Sequence, residues 1–510
     1  MCRHCGSGDQ HGLFCTSCGA ALSPASAQAP ARAPGSTPQP NRSGRMPLLV
    51  VGLAVLLVAS GATAAVLLTG SSGEAGTPRA IAASTSAHAT GSGGSVVPGG
   101  ATAVGTTPAA GTATTTEMTA AARTTPAGTT GAAETTSAAT GLGSVVPSNA
   151  VQIGHDGGEV APPARTGVAN PAGTGRASCA PGTSIAMAGA LTGPNAALGH
   201  NILNGAQLAV DRHNKANPNC QIGIRQFDTA GDPQKATAVA SQIGSDTSIV
   251  GLVGPAFSSE TRAAGSVLSQ AGLLSMTPSA TNPSLTQQGW TNFFRGLAND
   301  DVQGPALAAF MVNALGYRKV CVIQDDSSYG ASLAAQVSAG LGSAADAGCA
   351  SNVKSGDKSF TAAARSVERA SPDAVFYAGY YPEAAGLIQQ LRDAGVSARF
   401  VAGDGVNDPE FRARAGAAAL GALVSCPCGP MPDDFAAVYT ASFGVAPGVY
   451  SAEAYDLATI MVSGIDSGIA DRAGLIDYVK RYDGQGVAHH YRWDSTGELD
   501  SPMIWAYTVD

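Results

Sequence analysis

Short apolar runs alternate with longer segments of helical periodicity between residues 179 and 510. Ile249–Val253 is a short run that predicts a buried strand, and Leu273–Met276 predicts the next one. Between them, the residues from Ser258 to Ala271 place apolar side chains on one helical face, which predicts a helix. Repeated units of this kind predict an α/β fold with parallel sheets, in which ligands bind at the carboxyl ends of strands.

The same periodicity predicts strands and helices on both sides of this unit. The predicted strands are Ser184–Ala188, Ile222–Phe227, Val320–Gln324, Ala374–Tyr377 and Phe400–Ala402. The predicted helices are Leu198–Asn214, Pro233–Ile243, Gly304–Leu315, Ser332–Leu341, Phe360–Ala370, Glu383–Ala394 and Ala454–Ser467. The region is too long for a single core, so we expect two lobes, each with a doubly wound parallel sheet, joined by a hinge.

A continuous apolar segment precedes this domain, because Pro47–Leu68 is 22 residues long and carries no charge. At 1.5 Å per residue it reaches about 33 Å, which is enough for one bilayer crossing. We therefore predict a transmembrane helix at residues 47–69 of a single-pass cell-membrane protein. Basic residues before the helix put the N-terminus in the cytoplasm and the C-terminal domain in the extracytoplasmic space. A cleaved signal peptide is the alternative, but 46 residues precede the run, which favours a retained anchor.

Two linkers flank the apolar segment. Residues 20–46 are rich in Pro and Ala and carry three arginines, which is typical of a flexible basic linker. Residues 70–178 are rich in Thr, Ala and Gly, with nine charged residues and no aromatic side chain. This composition does not bury enough apolar surface to fold, so it predicts a disordered linker.

Residues 1–19 contain two Cys-x-x-Cys pairs, Cys2/Cys5 and Cys15/Cys18, each followed by glycine. Four thiolates at this spacing suit a tetrahedral Zn²⁺ ion, and a module this small needs metal to fold. The segment resembles the short zinc-ribbon heads of bacterial membrane proteins, so we predict a structural zinc site. A redox dithiol pair and disordered thiols are the alternatives.

Composition and the lack of catalytic motifs argue against two classes of function, nucleic-acid binding and catalysis. Charged residues make up 13% of the chain and the net charge is −8, which argues against a nucleic-acid-binding surface. The sequence has no nucleophile elbow, zinc-protease motif, P-loop or dinucleotide-binding glycine motif after a strand. We therefore expect a binding protein rather than an enzyme, with no cofactor in its C-terminal domain.

Hydroxyl-rich turns follow the two central strands. Ser258 comes shortly after the first strand and is a candidate helix N-cap, and Thr277–Thr281 follows the second. Adjacent parallel strands end at the same edge of a sheet, so these turns are expected to lie side by side. Hydroxyls, backbone N–H groups and a helix N-terminus all favour a carboxylate. Ordinary capping and turn residues are the alternative interpretation.

A set of short motifs also occurs in order along residues 180–510. They are Gly189-Ala-Leu-Thr-Gly193-Pro194, Asn204-Gly205-Ala206, Phe227-Asp228 with Asp232-Pro233, Thr277–Thr281, Asp325 with Tyr329-Gly330, and Tyr380-Tyr381-Pro382-Glu383. Together they resemble the branched-chain amino-acid (leucine/isoleucine/valine) binding protein family, which has the two-lobed type I periplasmic-binding fold. The resemblance implies capture of a small amino acid in the cleft between the lobes.

The resemblance also implies roles for residues on the first lobe. Ser258 and Thr281 match hydroxyls that bind the ligand α-carboxylate, together with the backbone N–H of Ala280 or Thr281. Ser279 matches a position whose carbonyl contacts the ligand ammonium.

On the second lobe, Tyr329 and Tyr380 match aromatic residues that close over the ligand. Tyr450 matches an aromatic near the pocket for the ligand side chain. Asp404 falls where the family has a glutamate for the ammonium. Tyrosines of the core and a helix-capping Asp404 are the alternatives. Leu198 stands where the family often has an aromatic, so a branched aliphatic ligand is the default, with another neutral amino acid or a small amide as alternatives.

Six cysteines lie in the C-terminal domain, and six cysteines allow 15 disulfide connectivities. The predicted topology favours the pairs Cys179–Cys220, Cys321–Cys349 and Cys426–Cys428. An oxidising extracytoplasmic location supports bonds rather than free thiols.

Two functions follow from these expectations. One is a membrane-anchored solute-binding protein that hands an amino acid to the permease subunits of an ABC importer. The other is a ligand sensor that signals to a cytoplasmic partner through the zinc-ribbon head. Transmission of a hinge motion needs short connections, so the long linker favours transport.

Overall fold

The computed structural model describes residues 149–510. The predicted zinc module, basic linker and membrane helix lie outside the described residues, as do residues 70–148 of the predicted disordered linker. Within residues 149–510, no helix is both long and apolar enough to cross a bilayer. The described part holds the whole of the predicted α/β region.

Strands and helices alternate along most of this part of the chain. The strands are β1 (Ala150–Ile153), β2 (Ser184–Gly189), β3 (Gly223–Asp228), β4 (Ile249–Val253), β5 (Leu274–Thr277), β6 (Phe293–Arg295), β7 (Val320–Gln324), β8 (Ser351–Asn352), β9 (Ala374–Ala378), β10 (Arg399–Ala402), β11 (Leu423–Cys426), β12 (Gly484–Gln485), β13 (His490–Tyr491) and β14 (Ile504–Thr508). The α-helices are α1 (Ala196–Ala216), α2 (Pro233–Ser245), α3 (Ser258–Gln270), α4 (Asp300–Ala309), α5 (Ser328–Leu341), α6 (Thr361–Ala370), α7 (Tyr381–Asp393), α8 (Pro409–Ala415), α9 (Asp433–Phe443), α10 (Ser451–Asp466) and α11 (Arg472–Lys480).

The first lobe is built on a five-stranded parallel sheet with the order β3-β2-β4-β5-β6. Helices cover both faces of this sheet, which explains why its central strands are apolar throughout. In β2, Ile185 and Met187 belong to the core that includes α1 and α10, while Ala186 and Ala188 belong to the core under α2 and α3. The carboxyl ends of β4 and β5 therefore emerge together at one edge.

The second lobe is built on a seven-stranded sheet with the order β1-β14-β11-β10-β9-β7-β8. Its strands from β11 to β8 are parallel, as predicted, but β14 pairs antiparallel with β11 and β1 pairs antiparallel with β14. The chain returns to this sheet from α10 and α11, which pack on β4 of the first lobe. The returning strand β14 runs against its neighbour, so the sheet is mixed at this edge.

The predicted boundary of the linker at residue 178 is also wrong. β1 is the outer strand of the second sheet, with Ala150 opposite Tyr507. Further along, Arg165 donates to the Pro430 carbonyl at 3.2 Å, and the side chain of Asn217, the C-cap of α1, donates to the Ala172 carbonyl at 3.1 Å. Residues 149–178 therefore run from the second lobe to the first. Their Gly/Ala/Pro-rich composition predicts a linker. The contacts that order these residues come from residues distant in the sequence, so composition does not indicate them.

The predicted strands and helices occur, with bounds that shift by a few residues. The prediction missed short elements such as β6, β11, β14, α8, α9 and α11. The structure contains the three predicted disulfides, Cys179–Cys220, Cys321–Cys349 and Cys426–Cys428.

Candidate functional site

The N-terminus of α3 forms the first-lobe side of the candidate site. Phe257 is the N-cap of this helix and Ser258 is its first residue, so the prediction of Ser258 as the cap is wrong. The Glu260 carboxylate accepts from the Phe257 N–H at 3.3 Å, and the N-cap side chain makes no hydrogen bond to the first turn. Its backbone N–H groups and the helix dipole therefore favour an anion at this end.

The turn after β5 lies against the turn after β4, as the parallel topology predicts. The Ser279 hydroxyl donates to the Ala256 carbonyl at 2.6 Å. The backbone N–H of Asn282 donates to the Ser258 hydroxyl at 3.2 Å. These two contacts bring the serine hydroxyls to one place on the sheet edge.

Arg295 supports the second turn from beneath. Its guanidinium donates to the backbone carbonyls of Ala280 and Asn282, and it forms an ion pair with Glu498 at 3.0 Å. The arginine side chain is completely buried. Sequence reasoning missed this residue because it ends a three-residue strand and its acidic partner comes 203 residues later.

Asp404 forms the polar centre of the second-lobe side. It lies in a single 3-10 turn after β10 and is buried. One carboxylate oxygen accepts from the Tyr329 hydroxyl at 2.8 Å, and the other accepts from the Tyr450 hydroxyl at 2.6 Å. Tyr450 has a φ of 68°, an uncommon conformation for an aromatic residue, immediately before α10. Asp404 is thus held by two tyrosines rather than acting as a helix cap.

Three aromatic rings form a continuous wall beside Asp404. Tyr329 and Tyr380 have ring centroids 5.2 Å apart, and Tyr380 meets the edge of Phe257 at 5.1 Å. Phe257 belongs to the first lobe, whereas both tyrosines belong to the second. Sequence reasoning did not single out Phe257, because a residue before a helix gives no signal that its ring faces a cleft.

The wall lines a small cavity. The lining residues are Ala256, Phe257, Ser258, Ser279, Tyr329, Tyr380, Asp404 and Tyr450. Six of these are among the eight predicted site residues. The other two, Ala280 and Thr281, are buried behind the lining, and the N–H of Ala280 is already bonded to the Thr277 hydroxyl at 3.0 Å.

Asp300 is a second buried acid near this cavity that sequence reasoning missed. It begins α4, and the Thr281 hydroxyl lies beside it. Burial raises the pKa of Asp300 to about 7, against the opposing effect of nearby hydroxyls. Burial also raises the pKa of Asp404, against the hydrogen bonds from Tyr450 and Tyr329. Asp404 lines the cavity, and Asp300 lies buried behind the lining close enough to interact electrostatically with Asp404.

Hydrogen bonds across the cleft hold the lobes together on both sides of the cavity. On one side, the Asn282 amide donates to the Ser328 carbonyl at 2.8 Å, and the Ser328 N–H donates to the Ser259 hydroxyl at 3.0 Å. On the other side, the Tyr381 hydroxyl donates to the Pro194 carbonyl at 2.7 Å. The structure therefore shows the closed arrangement of the two lobes.

One group in the described residues has a spacing suitable for a metal ion, and it consists of His213, Cys220 and Asp466. Cys220 is bonded to Cys179, so it has no thiolate to offer. The His213 ring contacts the carbonyls of Pro171 and Cys220 instead. This group packs residues 171–179 against α1 and does not indicate a metal centre.

Glu260 is a buried acid in the first turn of α3, and its contribution to the free energy of unfolding depends on pH. Burial raises its pKa from 4.5 to about 7, despite hydrogen bonds from Thr229 and the Phe257 N–H. The folded state therefore holds the proton more tightly than the unfolded state. The stability that this group contributes is full below about pH 4.5 and is lost as the pH rises to about 7.

We expect wild-type stability, relative to the Glu260→Gln variant, to fall by about 2–3 kcal/mol between pH 5 and pH 8. Urea unfolding at the two pH values measures this difference. Glu368→Gln, at an exposed position on α6, is the matched control and should keep the wild-type pH dependence. An equal pH dependence in Glu260→Gln and wild type would contradict the assignment.

The chain matches one family of known proteins over most of its described length. The sequence profile of the family described as periplasmic binding protein matches residues 182–508. The match spans both lobes, from the start of β2 to the end of β14.

Individual relatives agree with this match. An amino acid binding protein of Pseudomonas aeruginosa is 31% identical over 335 residues, which cover 64% of this chain and 90% of the relative. A leucine-, isoleucine-, valine-, threonine-, and alanine-binding protein of the same organism is 31% identical over 327 residues, covering 62% of this chain and 86% of the relative.

A solved structure is also similar. It is the branched-chain amino acid transporter substrate binding protein of Streptococcus pneumoniae in complex with isoleucine. The TM-score is 0.60 at 27% identity, with 64% of this chain and 96% of that chain covered.

Proposed function

The chain belongs to the type I periplasmic binding proteins, in the branched-chain amino-acid-binding family, and from this we propose that it captures a branched aliphatic amino acid for an ABC importer. Members of this family bind solutes for transport and are not enzymes, which agrees with the expectation from the sequence. The relatives that bind leucine, isoleucine and valine support the choice of ligand class.

The observation that carries the proposal is the opposed polarity of one closed cavity. The N-terminus of α3 and the Ser258 hydroxyl lie on the first lobe, and they suit a carboxylate. The Ser258 oxygen accepts from the Asn282 N–H, so its proton is left to donate, whereas the Ser279 proton is donated to the Ala256 carbonyl. The Asp404 carboxyl lies on the second lobe and suits an ammonium group. An α-amino acid carries both charges on adjacent carbons, so it satisfies both sides at once.

Binding proceeds in two steps in this proposal. The ligand first docks its carboxylate on the first lobe, where Ser258 and Ser279 are held in place by backbone contacts. The second lobe then closes, which adds Asp404, Tyr329 and Tyr380 and excludes water from the ion pair. The ligand thereby shifts the balance between open and closed states toward the closed state, because only the closed state contacts both of its ends.

Calorimetry of the full-length chain against the twenty amino acids tests this function. We expect binding of valine, isoleucine or leucine. Valinamide lacks the carboxylate and 2-ketoisovalerate lacks the ammonium, so each should bind at least about 100-fold more weakly than valine, because one buried charged group then has no partner. No binding across the panel, or a keto acid that binds as tightly as valine, would contradict the proposal.

We also propose that the protein is anchored in the cell membrane by residues 47–69, with the binding domain extracytoplasmic. The support is the 22-residue uncharged run and the basic residues before it. Recovery of full-length protein in the soluble fraction after cell lysis would argue against an anchor.

A structural zinc ion in residues 1–19 is a further proposal, supported by the spacing of Cys2, Cys5, Cys15 and Cys18. Metal analysis of the purified full-length chain should find one zinc per chain, lost in a Cys2→Ser/Cys5→Ser variant. A zinc content that does not change in this variant would contradict the site.

The cysteine-rich head keeps the sensor function open as a second candidate. A cytoplasmic head suits contact with a cytoplasmic partner, whereas a plain importer component has no evident need for one. We favour transport over sensing, because a long flexible linker between the head and the binding domain does not transmit a hinge motion from one to the other. Ligand-dependent capture of a kinase or regulator through residues 1–45 would favour sensing, and growth on branched-chain amino acids that depends on the protein would favour transport.

A further inference from the structure

Phe257 occupies a special position in the cavity. It is the first-lobe member of the three-ring wall, and it immediately precedes Ser258, one of the hydroxyls proposed for the ligand carboxylate. The remaining rings of that wall, Tyr380 and Tyr329, belong to the second lobe. The wall is therefore complete only when the lobes are closed.

A chain of side-chain contacts runs along the wall from Asp404 to Phe257. Asp404 bonds Tyr329, Tyr329 packs on Tyr380, and Tyr380 packs on Phe257. Phe257 is thus the wall residue farthest along this chain of contacts from the acid. A ligand with its ammonium at Asp404 and its carboxylate at Ser258 lies alongside this wall and next to Phe257.

We propose that Phe257 is the residue that limits the size of the ligand side chain, and that it selects small aliphatic amino acids against aromatic ones. This inference rests on the proposed function. Leu198, which stands where the family often has an aromatic, is buried and is not part of the cavity lining. Phe257 therefore supplies an aromatic surface from a different element.

The volume of the cavity supports the same conclusion. The cavity is small, with room for about one water-sized sphere in the closed structure. The Phe257 ring is 7% exposed and meets Tyr380 edge-to-face, so it has little freedom to move aside for a larger ligand. A pocket of this kind discriminates by steric exclusion, which is stronger than discrimination by a missing methylene.

The experiment measures dissociation constants for valine and phenylalanine in full-length wild type, Phe257→Ala and Phe257→Leu. We expect the ratio of the phenylalanine constant to the valine constant to exceed about 100 in wild type and to fall at least tenfold in Phe257→Ala. Phe257→Leu should give an intermediate ratio, and its milder change preserves the apolar contact with Tyr380. Phe227→Ala removes a half-buried ring on β3 away from the cavity and should keep the wild-type ratio.

The outcomes separate this inference from the proposed function. A wild-type protein that binds none of the amino acids overturns both. A wild-type protein that binds valine, with the same ratio in both Phe257 variants, overturns the role of Phe257 and leaves the proposed function standing.

Discussion

Replacement of Asp404 by asparagine is expected to weaken amino-acid binding by about 10²–10³-fold. The carboxylate is the buried acid that lines the cavity, and the asparagine amide has no charge to balance the ligand ammonium. Removal of one partner of a buried charge pair costs about 2–5 kcal/mol, because the remaining charge stays buried without a partner. Calorimetry with valine measures the loss.

Two further variants make this test specific. Asp404→Glu keeps the charge and should stay within about tenfold of wild type, since the family has a glutamate at this position. Asp433→Asn removes an exposed acid at the start of α9 and should bind as wild type does. Binding of valine to Asp404→Asn at wild-type strength would remove Asp404 from the ligand site.

The same substitution separates binding from folding. Burial raises the pKa of Asp404, so its charged form destabilises the unliganded folded state at neutral pH. The melting temperature of unliganded Asp404→Asn should therefore equal or exceed that of wild type. A loss of binding in a protein that melts at the same or higher temperature reflects the site and not the fold.

Replacement of Arg295 by methionine is expected to lower the free energy of unfolding by about 3–5 kcal/mol. The change leaves the Glu498 carboxylate without its partner, and the carbonyls of Ala280 and Asn282 lose their donors. Urea unfolding of the full-length chain measures the difference. Because those carbonyls belong to the turn that carries Ser279, we also expect weaker valine binding.

Arg225→Met is the matched control on the same lobe. Arg225 forms an ion pair with Asp246 at 3.2 Å, but its side chain is 53% exposed. Exposed pairs contribute about 0–1 kcal/mol, so this variant should be nearly as stable as wild type. Equal effects of the two substitutions would mean that Arg295 does not support the turn.

Much of the domain could be predicted from local pattern. β4 lies at the predicted residues, and α3 begins at Ser258 and ends at Gln270, near the predicted bounds. These elements have strong periodicity and clear boundary residues. The parallel order of β4 and β5 follows from the helix between them, so the neighbouring hydroxyl turns could be predicted as well.

Other features escaped prediction because their partners are distant in sequence. β1 is a four-residue strand in a Gly/Ala/Pro-rich segment, and it pairs along its whole length with β14, which lies more than 350 residues later. The Tyr329–Asp404 and Tyr450–Asp404 bonds span 75 and 46 residues. No local pattern shows that such groups meet.

The sequence by itself determined the repeating α/β units, the two hydroxyl turns at one sheet edge and the residue types suited to a zwitterion, because these depend on periodicity and on chain connectivity over one unit. The tertiary structure alone decided that Phe257 completes the ring wall, that Arg295 supports the second turn and that Asp300 lies buried near the site. It also decided that residues 149–178 belong to the folded domain. Each of these depends on burial and on contacts between elements far apart in the chain, and burial energies are set by the folded whole.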